Sequence, residues 1–342
     1  MRKTHQRIVI TILLLGLSYG QYANIPDIVS KVATSTGNFL KLETGARAIG
    51  LGGAFTAIGT GVTGIPYNPA SIGYVKGMET YFSHTEYMVG ISHNVLAFGA
   101  QLTGSDYIGI HFFWLDSGPM DVTTELYPDG TGEEFNVSSK SLRFVYARHM
   151  TDRLKIGFSL NYIRDDIYTV NMQGVAFDLG SNFDTGLYGF KLGMSVTNFG
   201  PEVQYGGEGL AKQVETTDSP SGQLQKITKK FPLPLTFRLG ISNDIIGKES
   251  VYAKSDIHRL SLAMDGIKSN DYIMYGSVGL EYGYGEFAFV RMGNHLNHDT
   301  MGMTAGGGVR VNMGGSALSI DYAFVNNSTI EPTHQFGLNF EF

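Results

Sequence analysis

The sequence predicts an all-β transmembrane fold, a 14-stranded antiparallel outer-membrane β-barrel with an N-terminal lumenal plug. Three observations lead to this prediction. The last eight residues, 335–342, alternate apolar and polar side chains and end on Phe342. The first twenty residues have the pattern of an export signal. Between them, residues 78–342 repeat short alternating segments, which is typical of strands with one face in lipid.

The N-terminal twenty residues have the three parts of a signal peptide. Basic residues lie between positions 2 and 7, an apolar run extends over 8–17, and Ser18 and Gly20 are the small residues that a signal peptidase reads. The apolar run is roughly half the length of a membrane-spanning helix. Because the chain has no cysteine, a lipoprotein signal, disulfides and thiolate metal sites are excluded. We therefore expect an exported protein that is cleaved after Gly20.

The composition favours a single barrel domain over a soluble two-domain protein. The chain has 45 glycines, 21 phenylalanines and 19 tyrosines, and a mean hydropathy of −0.03. A membrane protein with this mean hydropathy must cross the membrane with strands whose apolar and polar side chains alternate. The net charge of −6 argues against a nucleic-acid partner. The predicted domains are a signal peptide over 1–20, an N-terminal segment and lumenal plug over 21–77, and a barrel over 78–342.

Fourteen segments have the alternation and length of tilted membrane strands. In the clearest, Leu154, Phe158 and Leu160 share one face while Ser159 and Asn161 share the other. One face of each strand is expected to meet lipid and the other the lumen. In chain order, the predicted strands are 78–88, 91–101, 106–115, 139–149, 154–165, 173–184, 187–198, 234–246, 250–259, 272–284, 286–294, 301–312, 316–326 and 334–342.

The lengths of the predicted connections support the barrel. Outer-membrane barrels have short periplasmic turns and longer extracellular loops. The connections after even-numbered strands are all tight, and the even strand count places both termini in the periplasm. Those after odd-numbered strands are longer, except at Val89-Gly90. The longer ones are 116–138, 166–171, 199–233, 260–271, 295–300 and 327–333.

Residues 21–77 do not alternate and are rich in glycine and alanine. Small residues allow close backbone approach, and a lumen enclosed by fourteen strands is too wide for its own side chains to fill. This segment is therefore the predicted plug. Arg47 is the single charged residue in its Gly/Ala context, and we expect it to pair with a lumenal carboxylate such as Asp178, Glu281 or Asp321. A ligand contact is the alternative role for Arg47.

The closing strand also carries a motif. Its order of polar residue, glycine, apolar residue and terminal aromatic resembles the C-terminal signal that the barrel-assembly machinery reads. We therefore expect the outer-membrane lipid and that machinery as partners. The residues of the predicted assembly signal are Gln335, Gly337, Phe340 and Phe342.

The N-terminal stretches 31–42 and 45–57, with Asn68-Pro69-Ala70, resemble the PorV/PorQ family. That family belongs to the FadL-like barrels, which share an Asn-Pro-Ala motif in a lumenal hatch. Further similar segments are 82–86, 128–133, 147–153 and 198–201. Residues 59–64 depart from the family, because relatives tend to carry acidic residues there. The residues of the plug motif implied by the resemblance are Gly45, Ala46, Arg47, Gly50, Gly52, Gly53, Asn68, Pro69 and Ala70.

Two patterns that suggest chemistry are better explained by structure. Residues 59–64 match G-x-G-x-x-G, but the required buried strand, helix and distant carboxylate are absent, so no cofactor is expected. In the second extracellular loop, acidic side chains could gather calcium, but their spacing lacks the EF-hand order and a solvated hairpin tip is favoured. No metal is therefore expected. These acidic residues are Asp129, Glu133 and Glu134.

No active site is predicted. The histidines are scattered without a serine and a carboxylate at a recognisable spacing, and each is more simply a polar filler of the lumen or girdle. We therefore predict a protein that is not an enzyme. The histidines considered are His93, His111, His149 and His258.

Two functions fit the predicted barrel. The PorV/PorQ resemblance implies a type IX secretion-linked role, in which the extracellular mouth binds secreted cargo proteins or a secretion complex. A FadL-like passive transporter of hydrophobic small molecules is the alternative, and a purely structural barrel remains a third. The polar loops 116–138 and 199–233 favour a protein partner. Tyr127, Phe135 and Tyr205 are the candidate aromatic anchors.

Overall fold

The computed structural model describes residues 31–216, 219–327 and 331–342. The predicted signal peptide over 1–20 lies outside these residues, as does most of the stretch between it and the first helix. The cleavage site therefore stays a prediction. Within the described residues, no helix has the length and apolarity needed to cross a membrane.

Fourteen antiparallel strands form a closed barrel, as the alternation predicts. Each strand pairs with its neighbours in sequence, and the first strand pairs with the last. The strands are β1 Met78–Glu86, β2 Ser92–Gln101, β3 Asp106–Asp116, β4 Val137–His149, β5 Leu154–Ile167, β6 Val170–Asp184, β7 Lys191–Phe199, β8 Thr236–Gly247, β9 His258–Ser269, β10 Tyr275–Tyr284, β11 Ala288–Leu296, β12 Met301–Asn312, β13 Ala317–Asn327 and β14 Thr333–Glu341.

The strands present their apolar side chains on the exposed face of the barrel. On β5, Phe158 and Leu160 are exposed while Ser159 and Asn161 are buried. The same division holds on β8 and β13. A closed barrel has no unpaired strand edge, and an exposed apolar face of this kind is suited to lipid. The chain therefore has the architecture of an outer-membrane barrel.

The predicted ninth strand, 250–259, is wrong. The ninth strand is β9, His258–Ser269, so a ten-residue stretch predicted as strand is mostly connection, and the predicted loop 260–271 is mostly strand. Ser250 stabilises the connection, because its hydroxyl donates to the Ile245 carbonyl at 2.8 Å and accepts from the Tyr252 amide at 3.1 Å. In β9, Ser261, Asp265 and Ser269 face inward, so the segment resembles a polar loop in sequence.

The connection lengths follow the predicted rule only in part. The β8–β9 connection, at an expected tight turn, extends over 248–257, and the β5–β6 connection, at an expected loop, contains only 168–169. The two longest connections, 117–136 and 200–235, both follow odd-numbered strands as expected. Each carries a hairpin of its own, Met120–Asp121 with Glu134–Phe135 and Ala211–Thr216 with Ser219–Gln225. We take the end of the barrel with these loops as extracellular.

The N-terminal segment, which we define as residues 32–77, is compact and largely buried. It contains one short α-helix, α1 (Ala46–Gly50), and three 3₁₀ helices. Phe55, Leu51 and Tyr67 are fully or almost fully buried. The segment contacts the buried faces of strands on all sides of the barrel. That it closes the lumen to solutes, as a plug does, stays a prediction.

Candidate functional site

Close backbone approach fixes α1 against β11 and β12. Gly52 has φ of 63°, and a Cβ there would lie 2.7 Å from the Asn294 backbone nitrogen. A Cβ on Gly50 would lie 3.3 Å from the Gly306 Cα. Larger residues at these two positions would push the helix off the wall. Small residues are therefore required where the N-terminal segment meets the strands, as the Gly/Ala-rich sequence predicts.

The start of α1 is fixed in the same way. Gly45 precedes the helix with φ of 91°, and its carbonyl accepts from the Ile49 amide at 2.9 Å. The Ala46 amide donates to the Tyr81 hydroxyl of β1 at 3.2 Å. Gly53 follows the helix with φ of 71°, beside the side chain of Glu43. Small residues of the predicted plug motif thus lie on both sides of the short helix α1.

Arg47 of α1 binds Glu281 of β10, as expected for a charged residue in this segment. Its Nε donates to Glu281 Oε2 at 2.8 Å, and its Nη2 donates to Oε1 at 2.9 Å. The Glu281 side chain is fully buried. Burial alone would lower the pKa of Arg47, but the Glu281 carboxylate raises it above its usual range. The guanidinium therefore stays charged and bidentate on its partner.

Two further arginines converge on the same carboxylate. Arg259 Nη1 donates to Glu281 Oε1 at 2.8 Å, and Arg291 Nε donates to Oε2 at 2.6 Å. Arg291 Nη1 also reaches Asp321 Oδ1 at 2.5 Å. We call these five residues the Glu281 cluster: Arg47, Arg259, Glu281, Arg291 and Asp321. Through Glu281 the cluster joins the N-terminal segment to strands β9, β10 and β11, and Arg291 extends it to Asp321 of β13.

A polar cavity of about 390 Å³ adjoins the Glu281 cluster. It lies at the end of the barrel where β1 begins and β14 ends, and Glu79, Arg310 and Glu341 line it from those strands and β12. Arg310 Nη2 donates to Glu341 Oε2 at 2.7 Å. The charges in this cavity are largely paired with each other.

Asn68 links the N-terminal segment to the opposite side of the barrel. Its side chain caps the 3₁₀ helix Pro69–Tyr74 by accepting from the Ala70 amide at 3.1 Å. Its Nδ2 donates to the Thr56 carbonyl at 2.9 Å and to the Ser181 carbonyl of β6 at 3.0 Å. The asparagine thus holds two parts of the segment and one strand together, as its turn chemistry suggests.

Strand glycines leave room for the Asn-Pro-Ala turn. A Cβ on Gly157 of β5 would overlap the backbone of Pro69 and Ala70, and one on Gly180 of β6 would overlap the Asn68 side chain. Glycine inside a strand often marks such a close approach. These strand glycines are therefore the sequence signal that marks the docking position of the turn.

Two buried contacts of the segment were missed from the sequence. Asp265 of β9 accepts from the amides of Phe55 and Thr56 at 3.0 and 2.9 Å. Glu43 meets His295 of β11 at 3.0 Å between Oε1 and Nε2. Burial alone would raise the pKa of Glu43, but the facing His295 lowers it below its usual value. No local pattern pairs residues so distant in sequence.

The three candidate partner-binding aromatics are not brought together. Tyr127 is 61% exposed at the tip of the 117–136 loop. Phe135 packs on Tyr168 with ring centroids 5.2 Å apart. Tyr205 donates to Asp165 Oδ2 at 2.5 Å, and burial together with this bond raises the pKa of its hydroxyl to about 12. Only Tyr127 is presented freely to solvent, and the binding role of all three stays a prediction.

The predicted assembly signal lies at the seam between β1 and β14. Gln335 is fully buried, and Gly337 lies beside the Tyr81 hydroxyl. Phe340 and Phe342 face outward with ring centroids 5.0 Å apart. The Phe342 amide donates to the Met78 carbonyl at 3.0 Å, and its carbonyl accepts from the Met78 amide at 2.7 Å. The last residue therefore completes the seam.

Deleting Phe342 is expected to reduce insertion into the outer membrane severalfold. The deletion removes both hydrogen bonds to Met78 and the outermost aromatic of the closing strand. Heat-modifiable, membrane-inserted protein on semi-native gels measures the effect. Phe336→Ala is the matched control, because Phe336 is an outward aromatic of the same strand outside the predicted signal. Equal insertion of the deletion variant and the wild type would remove the assembly-signal interpretation.

The remaining sequence candidates are dispersed. His149 Nε2 lies 2.6 Å from the Gly73 carbonyl, and His93 packs on Phe113 with ring centroids 5.2 Å apart. Within the described ranges, no group of three or more His, Cys, Asp or Glu side chains is placed to hold a metal ion. In the hexapeptide 59–64, Gly61 lies beside the Glu79 carboxylate of β1. That carboxylate accepts from the Val62 amide at 3.3 Å, so the loop docks on the wall.

The outer wall has an apolar depression that the sequence did not predict. It has a volume of about 660 Å³ on the face of β6 to β9. The side chains that line it include Leu179, Met194, Phe237, Leu239 and Met274, all of them exposed. Near the end of β7, Asn198 has φ of 61° and its amide donates to Asp178 Oδ1 at 2.7 Å, where the pairing with β6 shifts register. The wall is therefore irregular at this point.

Comparison with known proteins identifies the fold. Neither the models of protein families nor the curated proteins give a match. Among solved structures, the monoaromatic hydrocarbon channel CymD has a TM-score of 0.57 at 12% identity, covering 86% of this chain and 96% of its own. The Pseudomonas putida toluene transporter TodX gives 0.54 at 12%, covering 87% and 97%. A Pseudomonas aeruginosa FadL homologue gives 0.54 at 10%, with the same coverage. The chain therefore has the FadL-like barrel fold.

Proposed function

We propose that this outer-membrane barrel serves a type IX secretion-linked role of the PorV/PorQ kind, binding a secreted protein at its extracellular mouth. One observation carries the proposal. The N-terminal segment binds strands on all sides through buried polar contacts, while the two longest loops form hairpins at the extracellular end. Such an arrangement supports binding at the loops over passage through the lumen.

The composition of the loop tips supports a protein partner. Leu126 and Tyr127 lie exposed between acidic residues of the 117–136 loop, and Ile227 is 85% exposed beside lysines in the 200–235 loop. Protein interfaces combine a few aromatic or aliphatic anchors with a charged rim. A groove that captures fatty acids would instead present a continuous apolar lining.

The interior polarity also favours this function. The buried wall carries Glu281, Asp265 and Arg143, each paired with charged or polar neighbours. A hydrophobic solute that crossed the lumen would have to disrupt such pairs without replacing their hydrogen bonds. This exchange is unfavourable, because buried polar groups without partners each cost about 1–3 kcal/mol.

Passive uptake of hydrophobic small molecules is the second candidate. The apolar depression on β6 to β9 favours it, because that depression is open to the lipid side and lined by Leu179, Met194 and Phe237. The solved structures similar in fold include a monoaromatic hydrocarbon channel and a toluene transporter. Uptake measurements separate this candidate from protein binding.

A photo-crosslinking amino acid at Tyr127 is expected to capture secreted proteins that share a C-terminal domain. Tyr127 is exposed at the tip of a polar loop, where a partner would contact it first. Crosslinking in intact cells followed by mass spectrometry identifies the adducts. Leu187 is the matched control, because it is similarly exposed at 66% but lies in the connection at the opposite end of the barrel.

The competing outcome is equally definite. If Tyr127 gives no adduct beyond the Leu187 background, and expression of the gene restores long-chain fatty-acid uptake in an uptake-deficient host, the protein is a transporter. If Tyr127 gives cargo adducts and uptake is unchanged, the secretion-linked proposal holds.

A further inference from the structure

One outward-facing row of side chains at the extracellular end of the barrel is polar apart from a single tryptophan. Consecutive members are direct cross-strand partners. The row immediately below it is apolar and includes Phe112, Leu142 and Tyr162. We call the upper set the polar row, and it consists of His84, Asn94, Trp114, Lys140, Arg164 and Gln173 on β1 to β6.

Two cations of the polar row are placed directly opposite each other. Lys140 of β4 faces Arg164 of β5 in register, on the same outward face. Like charges in this position destabilise a strand pair. Arg164 Nε donates to both oxygens of Asp166, at 3.0 and 2.8 Å. Asp166 also interacts with the Lys140 ammonium over a longer distance, so one carboxylate faces both cations. Lys140, Arg164 and Asp166 together therefore carry one net positive charge, which an external anion would stabilise.

The neighbouring Trp114 indicates that this pair lies at the height of the lipid headgroups. Trp114, the single tryptophan of the chain, is the direct partner of Lys140 and stacks on Phe112 at 5.2 Å. Tryptophan is enriched at the membrane–water interface. The apolar row begins one step below, and the loops begin above. Cations at this boundary attract the anionic headgroups of lipids.

We propose that Lys140 and Arg164, with Trp114 beside them, bind the phosphorylated headgroup of an outer-leaflet lipid. Arginine and lysine are the residues that bind phosphate most readily, through charge-assisted hydrogen bonds. The acyl chains run over Phe112, Leu142 and Tyr162 directly beneath the headgroup. Free phosphate has the same anionic chemistry but gains nothing from this apolar surface, so the site selects the lipid.

Native mass spectrometry of the full-length purified barrel tests the site. The probes are bisphosphorylated lipid A, its phosphate-free form and inorganic phosphate. Lys140→Gln and Arg164→Gln are each expected to weaken lipid A binding about fivefold, and the double variant about 25-fold. Lys268→Gln is the matched control. Lys268 is an exposed lysine of β9 at the extracellular end of the barrel, but its cross-strand partner is Phe237 and not a second cation. It is expected to bind as the wild type does.

A charge-retaining variant and a folding control complete the test. Lys140→Arg retains the charge and is expected to retain binding, and heat-modifiability shows that each variant is folded. The single variants give the answer if the double variant does not insert. Equal binding of lipid A by wild type and glutamine variants, or equally tight binding of the phosphate-free lipid, would overturn the proposal. Displacement of lipid A by equimolar inorganic phosphate would overturn it as well, because the site would then recognise phosphate alone.

Discussion

Replacing Glu281 with glutamine is expected to destabilise the folded barrel and to detach the N-terminal segment from its wall. The wild-type carboxylate accepts from Arg47, Arg259 and Arg291 at 2.6–2.9 Å and is fully buried. The amide leaves three converging guanidinium groups around a neutral side chain. Removing one member of a buried charge network costs about 3–5 kcal/mol. Thermal unfolding of the purified barrel and conductance in planar bilayers measure the two effects.

Glu286→Gln provides the matched control for this substitution. Glu286 borders the same cavity and accepts from Arg259 Nε at 2.8 Å, but its side chain is 58% exposed. Exposed ion pairs contribute little to stability. We expect this variant to unfold and conduct almost as the wild type does. If the two glutamine variants unfold at the same temperature and conduct alike, the Glu281 cluster does not anchor the segment.

The second large effect is expected for Asn68→Ala. The substitution removes the cap of the Pro69–Tyr74 helix and leaves the buried carbonyls of Thr56 and Ser181 without this donor. Losing a cap and burying unsatisfied groups together costs about 2–4 kcal/mol. The segment is expected to loosen while the strands stay paired, so small-solute conductance should rise in barrels that still insert. Adding Pro69→Ala should increase the effect.

Asn136→Ala controls for the loss of an asparagine amide. Asn136 is exposed, and its Nδ2 donates to Asp116 at 3.1 Å in the loop above β3. No rise in conductance is expected there. A second comparison decides the plug itself: intact barrels with and without residues 21–73 are measured side by side. Equal conductance in that comparison would make the plug prediction wrong.

The alternation of side chains made the barrel predictable. In β5 every outward residue from Ile156 to Tyr162 is apolar, and lipid on that side admits little else. Prediction failed at β9, because the inward Asp265 and the neighbouring Gly266 resemble a loop when their partners are unknown. Those partners are the Phe55 and Thr56 amides, which lie over two hundred positions earlier.

Contacts of the N-terminal segment were predictable where a residue acts on its neighbours in sequence, or where a buried charge needs an opposite charge. Arg47 in an apolar context required a carboxylate, and Glu281 was among the three expected. Asn68 before proline indicated a turn that the side chain stabilises. The contact of Glu43 with His295 could not be predicted from the sequence, because it depends on how the closed barrel positions two ordinary polar residues. The apolar depression depends likewise on how four strands pair.

The seam at Phe342 imposes an order on assembly. Arg47 meets Glu281 across 234 positions, and β1 pairs with β14, the barrel strand most distant from it in sequence. Joining such distant sites is entropically slow, whereas neighbouring hairpins form early. We therefore expect the segment to find its partners only after the strands that carry them have formed. We expect it to enter while the strands still form an open sheet, because the pairing of β1 with β14 closes the barrel wall.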